Sequence, residues 1–173
     1  LAGAEAEASG RALFAAMEGS RPVLAEVQAL AGQETAGNPR RSIVGWDNAR
    51  LSMLLAVFDA RCGLRFGMRD VYLSVTGGYR MAEPAGDLAA AAALASALLD
   101  KPFPAGSVFF GEVALSGAIR PVGRIEPRLR EAARLGFSRA FVPAGVPDTV
   151  DGMAVHGLSR LQDLVDVLGG DSG

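Results

Sequence analysis

Residues 111–143 read GEVALSGAIRPVGRIEPRLREAARLGFSRAFVP, and this stretch decides the fold. Its first half has apolar residues on both sides of the pair Ser116-Gly117, which predicts two strands joined by a turn. Its second half has a proline where a helix would begin and a glycine where it would end. The stretch therefore predicts two strands, a helix and a third strand, at Val108–Leu115, Ala118–Val122, Pro127 up to Gly136, and Ala140–Pro143.

The rest of the chain predicts further strands and helices by the same periodicities. The predicted strands are Arg11–Met17, Pro22–Leu30, Ser42–Trp46 and Asp70–Val75, and the helices are Asn48–Arg61, Pro84–Leu99 and Ser159–Leu168. Asp47 is placed to cap the first of these helices, and residues 31–38 predict a polar loop. This order indicates a mixed α/β fold (α+β, two-layer) and excludes a strictly alternating Rossmann pattern. We expect residues 1–10 to be a frayed lead-in and residues 11–173 to form a single domain.

Composition limits the function classes. At 173 residues, 50% of them hydrophobic, the chain is long enough for one buried core, and a net charge of −2 argues against a generally basic, nucleic-acid-binding surface. The single cysteine, Cys62, permits no internal disulfide and indicates a cytoplasmic protein with a structural thiol. The lone His156 has no cluster of metal-binding residues around it in the sequence. The apolar run Leu88–Leu99 is too short to span a bilayer, so we expect no membrane contact.

Residues 111–143 resemble a motif of Lon proteases. In that motif, a strand of type GEV-x-L-x-G-x-(hydrophobic)-x-P-(hydrophobic)-G leads into the helix that carries the catalytic lysine. The resemblance places that lysine at Glu126 and the next one at Arg128. It also places the serine of a G-P-S-A-G turn at Ala85, within Glu83–Asp87. A Ser–Lys dyad needs a nucleophile and a neutral amine, which alanine, glutamate and arginine do not provide. The resemblance implies a domain that has no catalytic residue and has lost its protease chemistry.

Other segments narrow this resemblance. The chain is similar, from about Gly10 to Leu168, to the C-terminal Lon-like domain of the bacterial RadA (Sms) family of DNA repair proteins. The segments that carry the similarity are MEGSRPVLAEVQAL (17–30), NPRR (38–41), DVYLSVTGG (70–78) and RMAEPAGDL (80–88). The family implies the ribosomal protein S5 domain 2-like fold of Lon proteolytic domains. Because the sequence does not begin with methionine, we expect it to be the C-terminal part of a longer chain.

The resemblance also implies a function. It implies a proteolytically inactive domain that supports assembly of a hexameric ring and contacts single-stranded or branched DNA, independently of base sequence, during branch migration in homologous recombination. We expect no cofactor or metal in this fragment; ATP, Mg and Zn are expected in upstream domains of a parent DNA-dependent ATPase or helicase. Two alternatives stay open. One is a purely structural oligomerisation module without DNA contact, which the near-neutral charge favours. The other is an active Lon-type serine peptidase with a displaced dyad.

Arginines are the candidate DNA-binding residues. Arg40 and Arg41 follow the predicted loop with no acidic neighbour in the sequence, so they are the first candidates for phosphate contact. A second set lies around Pro121 and at the start of the following helix, and comprises Arg120, Arg124 and Arg128. Glutamates at helical spacing could neutralise part of this second set, in which case it is an ordinary solvated face. Asp87 can be explained as a charge favoured at a helix N-terminus, and its role stays open.

Overall fold

The structure, a computed structural model, describes residues 8–77 and 79–169. In these residues the strands are β1 (Arg11–Glu18), β2 (Arg21–Glu34), β3 (Arg41–Val44), β4 (Arg69–Val75), β5 (Ser107–Phe109), β6 (Glu112–Val113), β7 (Ile119–Arg120), β8 (Arg139–Pro143), β9 (Thr149–Val150) and β10 (Met153–Leu158). The helices are α1 (Asn48–Val57), α2 (Asp87–Leu99), α3 (Ile125–Arg134) and α4 (Leu161–Gly169). A π-helical turn, Phe58–Cys62, extends α1, and a 3-10 turn, Pro84–Gly86, precedes α2.

Eight of the strands form one mixed sheet in the order β3-β4-β2-β1-β5-β8-β10-β9. The pairs β1–β2 and β2–β4 are antiparallel, whereas β3–β4, β1–β5, β5–β8 and β8–β10 are parallel. β6 and β7 form a separate antiparallel pair. The predicted mixed α/β class is confirmed. β1 pairs with β5 at Leu13 and Val108. The C-terminal part of β1, toward Glu18, therefore continues without β5 beside it.

The centre of the core is helix α2. Every residue from Asp87 to Ser96 is buried, and the helix contacts β1, β2, β5 and α4. Its run of alanines lets the backbone approach the sheet closely, since small side chains leave little between helix and strand. The structure thus confirms the predicted helix, and it shows that the acidic first residue is as deeply buried as the apolar ones.

Two of the predicted boundaries are wrong for reasons of pairing. β2 continues through residues 31–34, which the sequence predicts as loop, because β2 stays paired with β4 as far as Glu34 opposite Arg69. The strand predicted at Val108–Leu115 is split between β5 and β6. At the break, the Gly111 amide donates to the Ala85 carbonyl at 2.9 Å, and the Gly111 carbonyl accepts from the Leu88 amide at 3.0 Å. These bonds tie the chain to the turn before α2 instead of to a neighbouring strand.

The sequence analysis also missed β9 and β10. The structure orders part of the lead-in: Ser9 Oγ donates to Asp100 Oδ1 at 2.8 Å, and the Gly10 amide donates to Ser96 Oγ at 2.8 Å. The rest of the predicted frayed segment, residues 1–7, lies outside the described residues, as does Gly78. The predicted cap of α1 is confirmed, because Asp47 Oδ1 accepts from the Ala49 amide at 3.1 Å. No helix in the described part of the chain is both long and apolar enough to cross a membrane.

Candidate functional site

The turn Glu83–Asp87 occupies the position that the Lon resemblance gives to the nucleophile. Pro84 begins the 3-10 turn, and Ala85 within it is 3% exposed. Glu126, at the position of the catalytic lysine, lies in the first turn of α3 with a side chain that is 79% exposed and 3.6 Å from Arg130. One position is therefore a buried methyl group and the other a carboxylate facing solvent, and neither can attack a carbonyl or act as an amine base.

At the C-terminal end of this turn, Asp87 is held by Arg50. The Asp87 side chain is fully buried; its Oδ1 accepts from Arg50 Nε at 2.8 Å and its Oδ2 from Arg50 Nη2. The Val113 amide donates to Oδ2 at 3.1 Å. Burial raises the pKa of the Asp87 carboxyl above its ordinary value, and the hydrogen bond from Arg50 opposes that rise. Asp87 thereby joins α1, α2 and β6, a structural role beyond that of a charge at a helix end.

At the N-terminal end of the turn, Glu83 is held by Arg128. Arg128 is 3% exposed, and its guanidinium donates from Nη2 to Glu83, from Nη1 to the Ala15 carbonyl at 2.7 Å and from Nε to the Gly123 carbonyl at 3.1 Å. Glu83 Oε2 in turn accepts from the Met17 amide at 2.8 Å. The prediction that Arg128 contacts DNA is therefore corrected: all three of its nitrogens are used inside the fold.

The other predicted arginines lie in two separate regions of the structure. Arg120 ends β7, and Arg124 precedes α3 in the left-handed region at φ 63°; both are exposed. Arg40 is exposed and Arg41 begins the edge strand β3. The expectation that no acid lies near this pair is wrong, because the Arg40 amide donates to Asp70 Oδ1 at 2.7 Å. The Arg41 guanidinium donates to the carbonyls of Arg69 and, at 3.0 Å, Gly67.

The sequence analysis missed an apolar face on the outer part of the sheet. It consists of Leu30, Val44 and Tyr72, which are 62%, 61% and 37% exposed. Leu30 and Tyr72 are cross-strand partners, and Val44 on β3 pairs with Ser74, two residues along β4 from Tyr72. Together with the uncharged Gln28, Ser42 and Ser74, these residues line a shallow depression of about 330 Å³. Alternation of apolar and polar residues along β2 could have indicated which residues point outward, but not that β3 and β4 add to them.

The remaining candidates show no catalytic arrangement. Burial raises the pKa of the half-buried Cys62 thiol, which disfavours the reactive thiolate. His156 is exposed and stacks on Phe141 with ring centroids 5.0 Å apart. Within residues 8–77 and 79–169, no group of three His, Cys, Asp or Glu side chains is arranged to hold a metal ion.

Comparison with known families shows the family to which this chain belongs. Residues 34–145 match a family model described as subunit ChlI of Mg-chelatase, and the chain belongs to that family. The matched region extends from the end of β2 to just past β8, and it includes the turn and the helices α1 to α3.

The chain is also similar to several proteins named DNA repair protein RadA. It is 55% identical over 136 residues to that of Brucella abortus, covering 79% of this chain and 29% of the relative. It is 48% identical over 159 residues to that of Rickettsia felis, covering 92% and 35%. It is 42% identical over 164 residues to that of Streptococcus pyogenes serotype M1, covering 93% and 36%. These identities support kinship with the RadA family, and the chain spans about a third of the length of these relatives.

Proposed function

We propose that the chain is a proteolytically inactive, Lon-like domain with the ribosomal protein S5 domain 2-like fold, belonging to a RadA-type protein of DNA repair and recombination. The observation that carries the first part is the turn Glu83–Asp87, in which a buried alanine replaces the nucleophile. Arginine–carboxylate pairs hold both ends of the turn. A side chain without a heteroatom at this position has no covalent chemistry to perform.

The DNA repair role is supported by the names of the relatives and by their identity over most of the chain. On this proposal the parent protein is a DNA-dependent ATPase that drives branch migration, and ATP, magnesium and zinc bind to parts of the parent outside these residues. The chain itself has no G-x-x-x-x-G-K-[ST] sequence for nucleotide phosphates, because its single lysine, Lys101, is followed by proline.

The second part of the proposal is that the chain associates with copies of itself into a ring. Six subunits are proposed, because the resemblance to Lon-type domains implies a hexamer. The apolar face supports it, because solvent-exposed Leu30, Val44 and Tyr72 adjoin the unpaired edge of β3. Contiguous exposed apolar residues next to a free strand edge are typical of surfaces that another chain covers. The face has no charge that would repel a second copy.

DNA contact is the third part. Arg40, Arg120 and Arg124 are exposed, and Arg41, next to Arg40, begins the edge strand β3. These guanidinium groups can bind phosphates of single-stranded or branched DNA without reading bases. Each such contact should contribute measurably to the salt dependence of binding.

The salt dependence of DNA binding tests this function against the purely structural alternative. We expect Arg40→Ala/Arg41→Ala to weaken the binding of single strands of any sequence and to flatten the log–log salt slope by roughly 0.7 per lost contact. Arg130→Ala/Arg134→Ala is the matched control, since these arginines are already paired with Glu126 and Glu131. Failure of the wild-type chain to bind DNA, with an intact oligomer, would favour the structural module.

A further inference from the structure

A small basic cavity lies outside the turn and outside the predicted arginines. It has a volume of about 220 Å³ and is formed by the π-helical turn after α1, the turn between β6 and β7, and the start of α4. Its lining consists of Arg61, Ser116, Gly117, Arg160, Leu161 and Gln162. Two guanidinium-bearing residues, a hydroxyl and an amide therefore surround one concavity.

Backbone hydrogen bonds hold the walls of this cavity together. The Leu161 amide donates to the Gly117 carbonyl at 2.7 Å, and the Ile119 amide donates to the Ser159 carbonyl at 2.9 Å. Gly117 adopts φ +89°, and a Cβ there would lie 3.3 Å from Arg61 Cγ. Glycine thus allows the β6–β7 turn to pack directly against Arg61, and this contact positions Arg61 beside the start of α4.

The two arginines are not neutralised within the described part of the chain. Neither Arg61 nor Arg160 forms an ion pair or a side-chain hydrogen bond with any of residues 8–77 and 79–169. Asp163, at the start of α4, is already engaged, because its Oδ2 accepts from the amides of Ser159 and Arg160, each at 3.0 Å. Gln162 Nε2 donates to Asp166 Oδ1 at 2.8 Å, which leaves the carbonyl end of its amide for other contacts.

We infer that this cavity binds a phosphate group of the DNA backbone through Arg61, Arg160 and the Ser116 hydroxyl. Arginine's planar fork matches the oxygens of a phosphate, and a serine hydroxyl adds a donor. The cavity is smaller than the roughly 300–1,000 Å³ of typical small-molecule sites, and its lining includes no aromatic side chain for a base to stack on. It therefore fits a phosphodiester better than a whole nucleotide. The phosphate chemistry stands on the cavity alone, whereas DNA as its source rests on the proposed function.

Two measurements on the 173-residue chain test this site. The first is a titration with inorganic phosphate at constant ionic strength, followed by the amide NMR signals of Ser116, Gly117 and Gln162. The second is the salt dependence of single-stranded DNA binding. The test variant is Arg61→Ala/Arg160→Ala, and the matched control is Arg65→Ala/Arg130→Ala. The control removes the same charge from exposed arginines that lie 3.6 Å from Asp59 and Glu126. Thermal unfolding checks that both variants fold.

We expect phosphate to shift these amide signals in the wild type and the control but not in the test variant. We also expect the test variant to lower the salt slope by roughly 0.7, which corresponds to one lost phosphate contact on a single strand. Phosphate shifts without a change of slope would overturn DNA as the source and leave free phosphate. If the wild type and the test variant have equal salt slopes, and phosphate shifts none of these amide signals in the wild type, the proposed site is wrong. A wild-type chain that binds phosphate here but no DNA would refute the proposed DNA contact and retain the cavity's chemistry.

Discussion

Arg128 and Glu83 form an ion pair beside β1, on the side away from β2 and beyond the point where β5 pairs with β1. Arg128 Nη1 bonds the Ala15 carbonyl at 2.7 Å, and Glu83 Oε2 accepts from the Met17 amide at 2.8 Å. The two side chains thus satisfy backbone groups that a strand would otherwise pair. Because buried backbone groups are costly to leave unpaired, the pair belongs to the stability of the fold.

Replacement of Arg128 tests this role. We expect Arg128→Leu to lower the free energy of unfolding by about 3–5 kcal/mol, because it leaves Glu83 and the Ala15 carbonyl without their partner. Arg130→Ala, on the same helix but exposed, should change stability by less than about 1 kcal/mol. Urea unfolding of both variants measures the difference. A loss no larger than that of the control would contradict the assigned role.

Introducing a serine at Ala85 and a lysine at Glu126 should not create a protease. We expect Ala85→Ser/Glu126→Lys to cleave unfolded protein no faster than the wild type. A lysine at the exposed position of Glu126 remains in water near its ordinary pKa of about 10.4, and so stays protonated. Cleavage of a fluorescent casein substrate is the measurement. Cleavage by the double variant that is absent from the Glu126→Lys single variant would contradict this prediction.

The Arg50–Asp87 pair predicts a pH-dependent loss of stability. Burial raises the folded-state pKa of Asp87 above 3.8, so the folded protein binds this proton more tightly than the unfolded one. The contribution of Asp87 to the free energy of unfolding is therefore highest at low pH, and it falls as the pH rises through the folded-state pKa. Arg50→Met removes the hydrogen bond that limits the rise in pKa. We expect Arg50→Met to lower the free energy of unfolding only slightly near pH 4 and by about 2–3 kcal/mol at pH 7. This loss is smaller than that for breaking a fully buried ion pair, because the Arg50 side chain is 33% exposed.

A double variant separates the charge effect from packing. Arg50→Met/Asp87→Asn has no ionisable group at the pair, and the asparagine carbonyl can still accept from the Val113 amide. Its destabilisation relative to wild type should change less with pH than that of Arg50→Met. Urea unfolding at pH 4 and pH 7 provides the comparison, and parallel pH profiles for the two variants would remove Asp87 as the titrating group.

The apolar face predicts where subunits meet. We expect Leu30→Glu/Val44→Glu to shift the chain toward monomer, because both side chains are about 60% exposed and a charge there must be desolvated in an interface. Leu115→Glu is the control, since Leu115 is 72% exposed but lies in the turn between β6 and β7. Light scattering over a concentration series gives the mass. An unchanged mass in the double variant would place the contact elsewhere.

Local patterns predicted most of the elements but not the contacts between them. The helix beginning near Pro84 and the cap at Asp47 depend on nearby residues, and the structure confirms both. The extension of β2 to Glu34 depends on pairing with Arg69, far along the chain. Short strands such as β9 have too few residues for any period to be read.

The candidate site shows the same limit. The sequence indicated that Ala85 cannot be a nucleophile, since that follows from residue type alone. It did not indicate that Arg128 is buried, because the carboxylate and carbonyl that bind it come from Glu83 and Ala15, in other segments. Arginine at a helix start looks the same in a sequence whether it faces solvent or the core.

The hydrogen bonds from Arg128 and Glu83 to the backbone of β1 have a consequence for peptide binding. Many proteins capture an extended peptide by letting it add as a new strand to an open sheet edge. Here the Ala15 carbonyl and the Met17 amide, the groups that such a peptide would need, are already bonded to Arg128 and Glu83. A peptide would have to break the Arg128–Glu83 ion pair before its first backbone hydrogen bond to this part of β1 could form, so this side of β1 is closed to strand addition.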